Sequence, residues 1–125
     1  MVSESKKILV LDGRSLAALA IARSLGSKGF EIHCGESFKN NLTSYSKYVK
    51  KRLIYRDPKS ESQKFINRIL NVVKDNDYDL ILPVRDDTTL LLAKHQDELS
   101  EYTNLYLSDY EAIQKLNDKA ETVKI

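Results

Sequence analysis

Cysteine is nearly absent from this chain. Cys34 stands alone, so no disulfide can form within it, and a lone thiol suits a reducing compartment. Tryptophan is missing, and only four glycines and two prolines punctuate 125 residues. So few breakers exclude collagenous and low-complexity chains, and no internal linker or repeat is visible. No apolar run approaches the roughly 20 residues of a membrane span. The opening "MVSESKK" lacks the apolar stretch of a signal peptide, so a cytoplasmic location is expected. Charge of one sign is scarce too. Twenty basic against 18 acidic residues leave +2, too little to argue for nucleic acid or a membrane as partner. No group of His, Cys, Asp and Glu has metal-ligand spacing.

What remains, 42% hydrophobic and 30% charged residues, fits one globular domain with a real core. Five apolar runs predict strands: Lys7–Leu11, Phe30–Cys34, Arg52–Tyr55, Asp79–Val84 and Asn104–Leu107. Several are apolar almost throughout, as strands covered on both faces are. Helical spacing predicts helices over Ser15–Lys28, Ser60–Lys74, Asp87–Leu99 and Tyr110–Leu116, with Gly26 and Gly29 ending the first. Strand–helix alternation implies right-handed crossovers and a parallel three-layer α/β fold, Rossmann-like, with about five strands. The final "NDKAETVKI" starts a helix at Asn117 or Asp118 and stops after about two turns without a cap, so the sequence reads as cut.

In such a sheet, ligands sit beyond the carboxyl ends of the strands. Those ends supply Asp12-Gly13-Arg14-Ser15, Gly35-Glu36, Asp57, Arg85-Asp86-Asp87 and Ser108-Asp109. Against the dinucleotide pattern of three glycines, Gly13 fits the first place, Ser15 replaces the second glycine and Ala18 takes the third. The helix start would still offer amides and a positive dipole end to an anion, with Arg14 and Ser15 adding to it. Equally, Gly13 makes the turn and Ser15 caps the helix. Glu36 lies near the place of a ribose-binding acid but is set off from the second strand by Gly35. A free-standing nucleotide-binding or regulatory module is therefore one reading. Asp86 and Asp87 suit a metal or a general base, or simply the helix dipole. Arg85 faces a ligand anion, or pairs with Asp57 or Asp86. His33 and Cys34 are adjacent on a strand and point to opposite faces, so they form no nucleophile–base couple. "SKYVKKR" reads as a solvated basic loop.

Four stretches together resemble the N-terminal, pre-ATP-grasp domain of ATP-grasp carboxylate–amine ligases, particularly those similar to the large subunit of carbamoyl-phosphate synthase. They are "ILVLDGRSLAALAIARSLGSKGFEIHC", "SYSKYVKKRLIYRDP" with Lys47 where arginine is usual, "DLILPVRDDTTLLLAKHQDEL" and "LSDYEAIQKLNDKAETVKI". The resemblance runs across nearly the whole chain. It implies a pre-ATP-grasp domain over residues 1–117 and the truncated start of an ATP-grasp domain over 118–125. By this resemblance Gly13, Arg14 and Ser15 form a substrate-side turn, Arg85 is a carboxylate clamp with Asp86 beside it, and Lys119 is the one nucleotide contact. The family activates a carboxylate with ATP and Mg2+ to an acyl phosphate, which an amine then attacks. The resemblance further implies a small carboxylate substrate and an ATP-grasp partner domain in cis or in trans, and leaves a homodimer open. This chain alone is expected to bind neither ATP nor Mg2+ tightly and to be inactive.

Overall fold

The computed structural model describes residues 6–105. Five strands form one parallel sheet: β1 (Lys7–Val10), β2 (Glu31–Glu36), β3 (Val49–Ile54), β4 (Leu80–Leu82) and β5 (Asn104–Leu105). Their order is β3-β2-β1-β4-β5, so the chain starts mid-sheet, winds to one edge, and returns to fill the other side. Four helices accompany them: α1 (Leu16–Ser27), α2 (Ser62–Asp75), α3 (Asp86–Lys94) and α4 (Gln96–Leu99). The α/β Rossmann-like architecture expected from the sequence is the one observed. No helix among the described residues is long and apolar enough to cross a membrane.

The two faces of the sheet are covered by chemically different surfaces. Ile8, Val10 and Ile32 meet the small residues Ala18 and Ala22 of α1, which let that helix approach closely while Leu16 at its start stays 75% exposed. Leu9, Leu11 and Ile81 meet Phe65, Ile66 and Ile69 of α2, with Leu92 of α3 and Leu99 of α4. The Phe65 ring stands edge-on to Tyr55, 4.8 Å between centroids, a geometry the ring quadrupoles favour. Because the helix after β1 lies on one face and the helix after β4 on the other, the chain diverges between these two neighbouring strands. That divergence is the switch point at which open α/β sheets form their ligand crevice.

Several boundaries differ from expectation. β2 continues through Gly35 and Glu36, so Glu36 belongs to the strand. β3 begins at Val49 and absorbs most of the basic stretch expected to be a loop. An edge strand keeps much of its side-chain surface in water, so its apolar signal is faint. The β2–β3 crossover carries only a short 3-10 turn (Thr43–Tyr45), which breaks the strict strand–helix alternation. Gly26 lies inside α1; Gly29, at φ 99°, provides the left-handed residue that turns the chain after the helix. The expected Asp87–Leu99 helix breaks at His95, and the bend brings Leu99 into the cluster that holds Leu92. The proposed helix Tyr110–Leu116, the strand end Ser108-Asp109, the domain boundary at 117 and Lys119 lie outside the described residues.

Candidate functional site

The site begins with Asp12, the second residue after β1. Its backbone sits at φ 63°, a left-handed conformation that Asp and Asn tolerate better than most residues. This turn sends the chain away from the sheet and leaves the Asp12 side chain buried. One carboxylate oxygen accepts from the Val84 amide (2.9 Å) and the Arg85 amide (2.8 Å), and the other from the Thr88 hydroxyl (2.8 Å). Asp12 therefore ties the β1 turn to the β4–α3 turn across the switch point. Burial pushes its carboxyl above the ordinary carboxylate range, against the opposing pull of the Arg85, Val84 and Thr88 hydrogen bonds. Its own amide donates to the Tyr55 hydroxyl at 3.1 Å, fixing the end of β3 to the same point.

Next to it, Arg14 and Glu36 are locked together. The Glu36 carboxylate, 1% exposed, accepts from the Arg14 amide, Nε and Nη2, and from the Ser37 amide and hydroxyl. Burial alone would push Glu36 up; the Arg14 and Ser37 hydrogen bonds outweigh it and hold the carboxyl below its usual range. Glu36 is thus spent on the protein and has no oxygen left for a ribose hydroxyl. The turn amides are spent as well. Gly13 N–H donates to Gly35 O, Ser15 N–H to Asp12 O, and Ala18 N–H to the Ser15 hydroxyl, which makes Ser15 the cap of α1. A Cβ on Gly13 would stand 2.3 Å from Asn41 Oδ1 and 2.6 Å from Cys34 Sγ. Gly13 is required by the close approach of the Asn41 loop, whose Thr43 amide donates to Gly13 O.

What stays open is a cleft of about 190 Å3 beyond the ends of β1, β3 and β4. Arg14, Lys59 and Arg85 line it together with Asp57 and Asp87 and with the buried Asp12, Glu36 and Thr88. Arg85 pairs with Asp87, at 3.6 Å from Nε to Oδ1, and with neither acid named from the sequence. The Asp87 Oδ1 also accepts from the Thr88 amide. Lys59 is in no ion pair among the described residues. Both acids of the Asp86-Asp87 pair sit in the first turn of α3, and among the described residues no group of three His, Cys, Asp or Glu is placed to hold a metal. Asp86 lies on the adjoining surface with Val84 and Lys59, outside the cleft itself.

The structure therefore gathers Arg14 and Arg85 at one cleft, whereas Gly13 packs against the Asn41 loop and Ser15 caps α1, and neither lines the cleft. Sequence reasoning missed Asp12 as the keystone and Lys59 as a cleft cation. Lys59 carried no local signal. Asp12 carried one, an acid between a buried strand and a glycine, but its partners lie 72 to 76 positions away. His33 and Cys34 do face apart. His33 bonds Tyr78 and Glu31, whereas Cys34 lies beside Asn41 and Ser44, its thiol pushed up to about 11 by burial. No protein-family model and no curated protein matches the sequence. Among solved structures the chain is similar to glycinamide-RNase-transformylase T from Mycobacterium tuberculosis, with a TM-score of 0.59 and 13% identity. The match covers 87% of this chain and 28% of that one, so the likeness is one of fold, and the chain spans little more than a quarter of its neighbour.

Proposed function

We propose that this chain is the substrate-side front domain of an ATP-grasp ligase, holding a small carboxylate while a partner domain supplies ATP and Mg2+ for its activation to an acyl phosphate. The observation that carries the reading is the cleft at the β1/β4 switch point. Its cations, Arg85 and Lys59, suit a carboxylate, and its acids, Asp57 and Asp87, suit a donor such as an amine. Arg85 acts as the clamp, with Asp86 at its rim. Gly13, Arg14 and Ser15 form the substrate-side turn, of which Arg14 lines the cleft and is held in place by its pair with Glu36. Lys119 would meet the nucleotide phosphates of the partner domain. The sequence resemblance and the shared fold with a much longer transformylase chain support this reading. The Asn41 loop packed against the Gly13 turn and the fully bonded Glu36 weigh against a free-standing dinucleotide module.

The test is a nuclear magnetic resonance titration of the 125-residue chain with small amino acids, ATP with Mg2+, and NADH. Shifts at Arg85, Lys59 and the Gly13 turn on adding an amino acid, lost in Arg85→Ala, are expected, with no ATP binding near micromolar. Micromolar ATP binding, or NADH fluorescence enhancement, would overturn the proposal.

A further inference from the structure

A second cavity, of about 200 Å3, opens between the edge strand β3 and helix α2 and shares no residue with the cleft described above. Its volume falls below that of drug-sized sites, so it suits a compact ligand. Lys51 on β3 and Arg68 on α2 line opposite walls, Arg52 adds a third cation that stacks over the Tyr45 ring, and Asp75 is the one acid among its lining residues. Neither Lys51 nor Arg68 is in an ion pair among the described residues. A lysine-rich edge deters strand pairing by itself. The inner wall, however, holds two buried rings in a hydrogen-bonded chain that has no part in that role.

That chain is Tyr78–His33–Glu31. The Tyr78 hydroxyl lies 2.6 Å from His33 Nδ1, and Glu31 Oε2 lies 2.7 Å from His33 Nε2. A carboxylate only accepts, so Nε2 carries the hydrogen of the neutral ring, and the Tyr78 O–H donates to Nδ1. Both rings are buried, His33 at 3% exposure and Tyr78 at 5%. Burial, helped by Lys7 and Lys51, pulls His33 below its ordinary value against Glu31, and burial pushes the Tyr78 phenol up to about 12. The groups around the imidazole are thus Glu31 on its own strand, Lys7 on β1, Lys51 and Arg52 on β3 and Tyr78 before β4, with Arg68 and Asp75 of α2 across the cavity.

We propose that this cavity binds a compact oxyanion, a phosphate or small carboxylate group, held by Lys51 and Arg68 and by a Tyr78 hydroxyl released through protonation of His33. The proton balance is simple. On binding, His33 takes one proton from solvent at Nδ1, which then donates to the Tyr78 oxygen, and the phenolic hydrogen turns from the ring to the anion. The anion supplies the negative charge that a buried imidazolium between Lys7 and Lys51 otherwise lacks beyond Glu31. Binding therefore strengthens as pH falls, and the bound anion raises the His33 pKa.

The experiment titrates the 125-residue chain with inorganic phosphate and, separately, acetate at about pH 6 and about pH 8, reading the His33 ring protons. Acetate keeps one charge across this range, so its arm separates the titration of the protein from that of phosphate. Saturable shifts, about tenfold tighter at the lower pH and weakened about tenfold in the surface double variant Lys51→Ala/Arg68→Ala, are expected. Tyr78→Phe, which keeps the ring and its packing, is expected to fold and to lose the pH dependence. Tightening at the lower pH by both anions would assign the pH dependence to His33, and tightening by phosphate alone would report phosphate's own protonation and overturn the coupling. Absence of a saturable shift at millimolar anion, binding that survives the double variant, or binding that ignores pH would each overturn the proposal.

Discussion

Asp12 concentrates the tertiary information of this fold in one carboxylate, and two substitutions separate what it does. Asp12→Asn keeps the side-chain shape and tolerates the 63° backbone angle. Its carbonyl oxygen accepts from the Val84 and Arg85 amides as before, and its amide nitrogen donates to the Thr88 hydroxyl oxygen, which can also accept. The buried charge disappears with no bond lost. Asp12→Gly also accepts the backbone angle but leaves two amides and a buried hydroxyl without partners. Hydrogen bonds to a charged group contribute about 1.5–3 kcal/mol each, and they do not add. Less the desolvation that the carboxylate itself suffers, and allowing for entry of water, a loss of about 2–4 kcal/mol is expected for Asp12→Gly in urea denaturation, a large share of the stability of a domain this size. Asp12→Asn is expected within about 1 kcal/mol of the parent near pH 7.

The pH dependence carries the same logic. Burial raises the folded-state pKa of Asp12 above its unfolded value of 3.8, so its contribution is fully present below that value and is lost as pH rises through the folded pKa. The Asn variant should gain on the parent across that rise. Refutation would be an Asp12→Asn variant as unstable as Asp12→Gly, which would mean that the charge itself, and not the three hydrogen bonds, holds the β4–α3 turn.

Other outcomes follow from the same geometry. Glu36 behaves oppositely to Asp12: its folded pKa is depressed below 4.5, so its contribution is present above that value and lost as pH falls through the folded one, and Glu36→Gln should flatten that acid limb of the stability curve. Gly13→Ala must displace the Asn41 loop to clear contacts of 2.3 and 2.6 Å, and a cost of about 2 kcal/mol with amide shifts confined to residues around Asn41 and Thr43 is expected. An unshifted loop would count against this. Cys34, buried and with its thiol pushed up to about 11, should react with a disulfide reagent at neutral pH only when denaturant opens the fold, and fast labelling of the native protein would contradict the burial. Phe65→Ala, at the centre of the α2 face, should cost about 3–5 kcal/mol by thermal unfolding.

The sequence by itself determined the class of this fold. Near-continuous apolar runs such as "ILVL" must be covered on both faces, and the Phe65, Ile66, Ile69 stripe needs a sheet to lie on. It also offered Ser15 as the cap of α1, a local requirement of one helix start, while leaving an anion site there equally open. Where side chains stay in water the pattern weakens, and so the edge strand β3 was legible only in its second half. Tertiary structure alone decided which charges are spent and which are free. Glu36 saturates on Arg14 and Ser37, Arg85 finds Asp87, Asp12 spans the switch point, and Lys59 comes to the cleft with no ion pair among the described residues. Charge pairing depends on distances of a few ångströms between residues tens of positions apart, and only the crossing order β3-β2-β1-β4-β5 sets those distances.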